Sequence, residues 1–334
     1  MAIKVAINGF GRIGRCVTRV IAARDDVELV AVNDLANIET MLYLLQNDSV
    51  HGPLAVDAQI VDGTHMMIGK SRVRVTSFAE PSKIDFAACG ADVVLECTGR
   101  FLTREDARVH LENGVGKVLF SAPAQDEGTP HFVMGVNEHL YAGERILSNA
   151  SCTTNCLAPI AKCLDDAFGI EKGLMTTIHS YTNDQNLLDV KHSKDMRRAR
   201  AAAVNMIPTT TGAAKAIGLV MPHLQGKLNG YAMRVPTTDV SVVDLTVNLK
   251  KATTKEEVIA AFEAAAAGEY AGRVEIDHDK RVSSDFVGSS YSCTFVPDML
   301  SVIDGTVVKV LAWYDNEWGY TERLMDMAKF VGEH

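Results

Sequence analysis

No stretch of this 334-residue chain stays apolar for long enough to span a membrane. An export leader is not expected either, because Ile3-Lys4-Val5-Ala6-Ile7-Asn8 already reads as the first strand of a fold. Basic charge is not in excess: the net charge is −9, which argues against a nucleic-acid surface or an anionic membrane as partner. Cysteine occurs, but not as a disulfide framework. The seven residues (Cys16, Cys89, Cys97, Cys152, Cys156, Cys163 and Cys293) are odd in number and scattered. Zinc spacing is missing too, since Cys152, Cys156 and His179 fit no common pattern and a thiol held by metal is not free to attack; no metal is expected. There is no low-complexity segment and no internal repeat. These exclusions leave a reduced, cytoplasmic enzyme, and 334 residues make two domains the default.

What is present begins at the first strand. Gly9-Phe10-Gly11-Arg12-Ile13-Gly14 follows it directly, a helix-compatible segment runs to Ala23, and a second apolar strand, Val27 to Asn33, ends in Asp34. A glycine pattern alone often marks only a tight turn; between a strand and a helix it reads as a dinucleotide fingerprint. Gly9 makes the turn, Gly11 lets backbone approach a pyrophosphate, and Gly14 packs helix on strand. The pyrophosphate rests on the N–H groups of Arg12 and Ile13. Asp34 lies where an acid holds an adenosine ribose, and its charge favours NAD over a 2′-phosphorylated cofactor.

Alternating strands and helices continue through Val73–Thr76, Asp92–Cys97, a helix from Thr103 to Glu112 and Lys117–Ser121, as a doubly wound sheet requires. Thr98 and Ser121 fall at strand ends, the edge where such sheets bind ligands, although each is also an ordinary turn residue. Beyond Cys152 the pattern changes. It gives a strand at Met175–Ser180, a polar, basic stretch from Tyr181 to Val204, and a helix begun by Thr209-Thr210-Thr211-Gly212. Long strands then follow at Asn229–Val235, Val240–Leu249 and Val307–Trp313. The expected fold is therefore an α/β Rossmann dinucleotide-binding domain plus an α+β catalytic domain with a mixed, largely antiparallel sheet. Residues 1–150, completed by the C-terminal helix 318–334, form the first; residues 151–317 form the second.

The chemistry centres on Ser148-Asn149-Ala150-Ser151-Cys152-Thr153-Thr154-Asn155-Cys156. This is a polar turn running into a helix whose apolar face is Leu157, Ile160, Ala161, Leu164 and Phe168. Ser151 is placed to cap it, which puts Cys152 in the first turn, where unpaired N–H groups favour a thiolate. A buried structural cysteine is the bland alternative, but hydroxyls and an amide surround this one. His179, at the end of its strand with polar flanks, is the candidate base. Anion-binding features are the cluster around Arg198, the helix start at Thr211-Gly212, and Arg234 at a strand end. Surface or subunit salt bridges are the alternative for these arginines. Asn316 either caps the last helix or offers its amide to a nicotinamide.

Along essentially its whole length the chain resembles the glyceraldehyde-3-phosphate dehydrogenase family. The match is carried by residues 7–15, Ser148–Cys156, His179-Ser180-Tyr181-Thr182, Pro208–Lys215, Met233-Arg234-Val235-Pro236 and Trp313–Tyr320. The resemblance implies an NAD-dependent, phosphorylating oxidation of glyceraldehyde 3-phosphate, with inorganic phosphate as co-substrate, by a homotetramer of glycolysis or gluconeogenesis. It implies Cys152 as nucleophile and His179 as base. Thr182 and Arg234 would lie on the substrate phosphate, and Ser151, Thr153, Arg198, Thr211 and Gly212 on the second phosphate or substrate. Asn316 would orient the nicotinamide.

The chain departs from the family pattern below the adenine, where Phe78-Ala79-Glu80-Pro81 replaces a common Glu-Arg-Asp-Pro and removes an arginine contact. It also departs at Val190-Lys191-His192, where a common Leu-Pro-His is lost and Lys191 could tolerate a 2′-phosphate. The nearest rival reading is an erythrose-4-phosphate dehydrogenase; a catalytically idle binding protein is the alternative from another class.

Overall fold

The computed structural model describes residues 2–193 and 195–334, so Met1 and Lys194, the latter inside the expected polar stretch, lie outside the described residues. The chain divides into two compact units: residues 1–134, 138–151 and 321–334 form unit 1, and residues 135–137 and 152–320 form unit 2.

Unit 1 is built on an eight-stranded sheet. Its spatial order is Ile146–Ser148, Lys117–Phe120, Val93–Glu96, Ile3–Asn8, Val27–Asn33, Ser71–Thr76, His65–Ile68 and Ala58–Asp62. The first six strands pair in parallel, and the last two join as an antiparallel edge. Parallel strands covered on both faces read as near-continuous apolar runs, and five of the six residues of Ile3–Asn8 are buried accordingly. The edge hairpin 58–68 and the helix Ile38–Gln46 are not read from the sequence; few of their residues are buried, and in the helix only Ile38, Met41 and Leu45 are. Strand order reverses between Ile3–Asn8 and Val93–Glu96, which opens the crevice at the C-terminal strand ends where ligands bind such sheets. Residues 321–334 of the last helix belong to this unit; Asp326 accepts from Arg24 Nη1 at 2.9 Å, and the Val331 carbonyl accepts from Lys117.

Unit 2 contains a mixed sheet in which Ile170–Ser180 pairs in parallel with Leu228–Val235 and antiparallel with Ser241–Leu249, itself antiparallel to Val307–Tyr314. Here burial alternates along the strand. In Val307–Tyr314 every second residue is buried, as expected for a sheet with one well-covered face. The helix Cys152–Phe168 carries a core face that includes Leu157, Ile160 and Leu164, all fully buried, and accommodates Pro159 within it. One strand, Ile207–Thr210, corrects an expectation: Thr209 and Thr210 pair with Ala232 and Tyr231, and the helix begins only at Ala213, after Gly212.

Candidate active site

In unit 1 the glycines are sterically required at two positions. Gly9 has φ +98°, and a Cβ there would sit 2.6 Å from the Thr98 backbone nitrogen; at Gly14 it would meet the Gly9 carbonyl oxygen at 2.2 Å. Gly11 differs, because nothing lies within 4 Å of its would-be Cβ. That open side faces a cleft of about 230 Å³ lined by Asn8, Gly9, Gly11, Asp34, Phe78 and Thr98 among others. The helix Arg12–Ala22 starts there with no side-chain cap from Gly11, and its positive N-terminal end favours an anion. The Arg12 side chain is engaged elsewhere, paired with Asp48. Asp34 does two things at once. Its Oδ2 accepts from Phe10 N at 2.7 Å, which pins the glycine turn, and its Oδ1 accepts from Ala36 N at 2.9 Å. Each oxygen keeps a second lone pair for a ribose diol. Thr98 spends its N–H (2.8 Å) and its hydroxyl on Glu96, and Ser121 spends its hydroxyl on the Glu96 carbonyl at 3.0 Å. Open backbone at Gly11, an uncapped helix start and a buttressed carboxylate together fit a dinucleotide.

In unit 2 the sheet register performs what the sequence hides. His179 and Arg234 are 55 positions apart, yet they are opposite one another in the parallel ladder. Arg234 Nη1 lies 2.8 Å from His179 Nδ1 and 2.8 Å from the Ser180 carbonyl oxygen, which is itself 2.7 Å from His179 Nδ1. A guanidinium only donates, so Arg234 donates to this carbonyl; in the tautomer whose Nδ1–H also donates to it, the imidazole lone pair is on Nε2, 3.5 Å from Cys152 Sγ. Burial first, and the Arg234 charge second, push His179 down to about 3, so the imidazole is neutral at physiological pH and ready to take a proton.

The helix starts at Cys152, with Ser151 in the position before it, as the sequence indicates. Just upstream, Ala150 adopts φ +56°, an uncommon left-handed conformation for alanine that turns the chain sharply into the helix. Burial pushes the Cys152 thiol up, against the opposing pull of Arg234 and the first-turn N–H groups. Cys152 is half-buried, and proton transfer to His179 Nε2 is the route by which it ionises.

The remaining residues fall around this pair in different states. Thr153 is buried, and its hydroxyl lies 2.8 Å from Tyr314 Oη, which is also 2.8 Å from Thr177 Oγ1; only the Thr153 backbone remains to meet a ligand. Tyr314 packs edge-on to His179, with ring centroids 6.0 Å apart. Arg234 keeps a buried Nε–H with no hydrogen-bond partner, a donor an anion can take. Arg198 donates Nε to Thr209 Oγ1 at 2.8 Å and Nη2 to the Thr210 carbonyl at 3.2 Å, and pairs through Nη1 with Asp184. Thr182 is half-buried, Thr211 accepts from Ala213 N at 3.2 Å, and Gly212 precedes the helix Ala213–Val220. Asn316 does not cap the last helix; Asp315 does, accepting from Glu317 N at 2.8 Å and Trp318 N at 2.6 Å. Ser180 Oγ (3.0 Å) and Ser241 Oγ (2.6 Å) both donate to Asn316 Oδ1, which leaves its NH₂ as the donor end. Sequence reasoning missed Tyr314, the Ser180 carbonyl and Asp184. Only Tyr314 carried a signal, as a polar aromatic ending an apolar strand.

This fold and these residues define an NAD-dependent oxidoreductase. Residues 3–104 match the family model described as glyceraldehyde 3-phosphate dehydrogenase, NAD binding domain, and residues 151–316 match the one described as its C-terminal domain. The chain is 53% identical over 334 residues to the glyceraldehyde-3-phosphate dehydrogenase of Geobacillus stearothermophilus, covering 99% of this chain and 98% of that protein. It is 51% identical over 336 residues to glyceraldehyde-3-phosphate dehydrogenase 1 of Bacillus subtilis (strain 168), covering 100% and 99%. The chain belongs to the glyceraldehyde-3-phosphate dehydrogenase family.

Proposed function

We propose that this protein oxidises D-glyceraldehyde 3-phosphate to 1,3-bisphosphoglycerate through a thioester on Cys152, in glycolysis or gluconeogenesis. The observation that carries the reading is His179 Nε2 facing Cys152 Sγ at 3.5 Å. As sulfur attacks the aldehyde carbon, the thiol proton passes through Nε2 to the carbonyl oxygen, giving a hemithioacetal. NAD, when bound, supplies the hydride acceptor that turns the hemithioacetal into the thioester. His179 Nε2 takes the hydroxyl proton in that oxidation. Inorganic phosphate then attacks the acyl carbon, the C–S bond breaks, and the imidazolium returns its proton to sulfur. Hydrolysis would lose the oxidation energy that the acyl phosphate retains.

Arg234 and Thr182 hold the substrate phosphate in this reading, supported by the unpartnered Arg234 Nε–H. Ser151, Thr153, Arg198, Thr211 and Gly212 serve the second phosphate or the substrate. The NH₂ of Asn316 serves the carboxamide of the cofactor. Gly9, Gly11, Arg12, Ile13, Gly14, Asp34, Thr98 and Ser121 hold the dinucleotide, with cofactor binding assigned to residues 1–150 and 318–334 and catalysis to 151–317. A homotetramer is supported by the exposed apolar side chains of one unit 2 loop, Leu187, Leu188, Met196, Val204 and Met206, each more than 70% exposed. A cytoplasmic location is supported by seven free thiols.

The deciding assay follows NADH formation from glyceraldehyde 3-phosphate with and without inorganic phosphate, repeated with NADP and with erythrose 4-phosphate. Faster turnover of the four-carbon sugar would overturn the substrate assignment, and equal use of NADP would show that Lys191 offsets Asp34.

A further inference from the structure

Beneath the unit 1 cleft buried side chains form a row in which each hands a hydrogen bond on toward Glu96. The Phe78 N–H donates to Asn33 Oδ1 at 2.9 Å, Asn33 Nδ2 donates to Asn8 Oδ1 at 2.9 Å, and Asn8 Nδ2 donates to Glu96 Oε2 at 2.7 Å. The other carboxyl oxygen, Oε1, accepts from Thr98 N at 2.8 Å and from the Thr98 hydroxyl. Asn8, Asn33 and Glu96 are 1%, 3% and 1% exposed, so none has water as a substitute partner. The row crosses the C-terminal ends of four strands and finishes at Phe78. That side chain stays 43% exposed in the cleft, and Asn33 holds both its N–H and its carbonyl, the latter at 3.0 Å.

The direction of the row is not optional. A backbone N–H only donates, so Phe78 fixes Asn33, Asn33 fixes Asn8, and the far end must accept. Thr98 N–H, also donor-only, makes the same demand from the other side. Glu96 meets both with two oxygens. Burial raises this carboxyl to about 7, yet the demand is met in either state, because a proton on Oε1 can turn to the Thr98 hydroxyl and leave Oε2 accepting.

We propose that Glu96, which lines no part of the cleft, is a positioning residue for the cofactor: as the acceptor terminus of the Phe78–Asn33–Asn8 row it sets Phe78 as the apolar floor under the adenine ring. The inference rests on the reading of this cleft as the dinucleotide site. It also gives the departure at residues 78–81 a purpose, since an aromatic face held by backbone bonds stands where the family commonly has Glu, beside Ala79 in place of the arginine.

The test exchanges acceptor for donor and then moves the charge along the row. In Glu96→Gln, the amide oxygen must face Thr98 N–H, so its NH₂ meets the NH₂ of Asn8. No set of amide flips removes the collision, because Phe78 cannot reverse. The Kd for NAD, read by isothermal titration calorimetry, should rise about tenfold, the scale of one buried unsatisfied group. KM for NAD should rise with it and kcat should stay within about twofold. In the double variant Glu96→Gln with Asn8→Asp, the new carboxylate accepts from both neighbours and every group is paired again, so the Tm lost in Glu96→Gln should be largely regained. Phe78→Ala should weaken NAD by a similar factor and make the further effect of Glu96→Gln small. An unchanged Kd in Glu96→Gln, or a double variant no more stable than the single one, overturns the proposal. Should the single variant fail to fold, the double variant still decides, because only a directional row predicts that it folds. Asp34→Ala runs alongside: if it too leaves NAD binding intact, the reading of the cleft has failed, and not merely the role of Glu96.

Discussion

Around the unit 1 cleft, polar side chains are already spent on the protein: Asp34 on Phe10 N–H, Glu96 on Thr98 and Asn8, Ser121 on a strand carbonyl. What remains for a ligand is backbone, apolar surface and spare lone pairs. Around Cys152 the balance is reversed. The scaffold spends backbone, through the Ser180 carbonyl, to leave side-chain atoms reactive: Sγ, the bare Nε2 and the Arg234 Nε–H. The first arrangement suits a site that must recognise and release an unchanged framework. The second suits a site that must move protons. Substitutions in unit 2 should therefore act on kcat, and substitutions in unit 1 on cofactor affinity.

The strongest attempt to break that contrast is Cys152→Ser. Phosphate-dependent NADH formation should fall by roughly 10⁴-fold or more, while the Kd for NAD stays within about twofold. An equal loss of both would erase the distinction. His179→Asn comes next, with a kcat loss of roughly 10²–10⁴-fold, the usual range for a general acid–base. Arg234→Leu sharpens the electrostatic part. Removing the largest pull that stabilises the thiolate should slow alkylation of Cys152 by limiting iodoacetamide at pH 8 by about tenfold, one pKa unit's worth. A rate unchanged or faster would assign the thiol's reactivity to the helix start alone.

The smallest effect lies away from both sites. His110 is 1% exposed, stacks on Phe86 with centroids 5.7 Å apart, and has no hydrogen-bond partner on either ring nitrogen. Burial lowers it to about 4. Because the folded value lies below the unfolded one near 6.5, its neutral form is compatible with the fold above pH 6.5, and stability is lost as pH falls from there through 4. His110→Phe should flatten the decline of Tm between pH 6.5 and 4 and leave activity at pH 8 unchanged; a parallel decline in both proteins would assign the acid sensitivity elsewhere.

The same contrast explains what the sequence revealed. The glycine turn, its flanking strand and helix, and Asp34 are local, because each residue acts on neighbours a few positions away or at a fixed spacing, and spacing is what a sequence displays. The strand at Val307–Trp313 was legible as an apolar run, though the alternation of its burial was not. The unit 2 pair was legible only as separate candidates. Nothing in residues 179 and 234 announces that a parallel ladder sets them opposite one another, or that both reach one backbone carbonyl. The thiol's partial burial was hidden too, since polar neighbours in sequence do not reveal how much apolar structure the fold adds. Asp315 taking the cap from Asn316 is a smaller instance, decided by one residue of geometry that the two side chains do not distinguish.

The central claim is that oxidation takes place on the sulfur of Cys152 and leaves an acyl group there until phosphate removes it. The direct measurement is a single turnover with glyceraldehyde 3-phosphate and NAD in phosphate-free buffer, quenched in acid and read by peptide mass spectrometry. A burst of NADH should be matched by a 3-phosphoglyceroyl adduct on the Cys152 peptide, which disappears when inorganic phosphate is added before the quench. A burst of NADH with that peptide unmodified would contradict it.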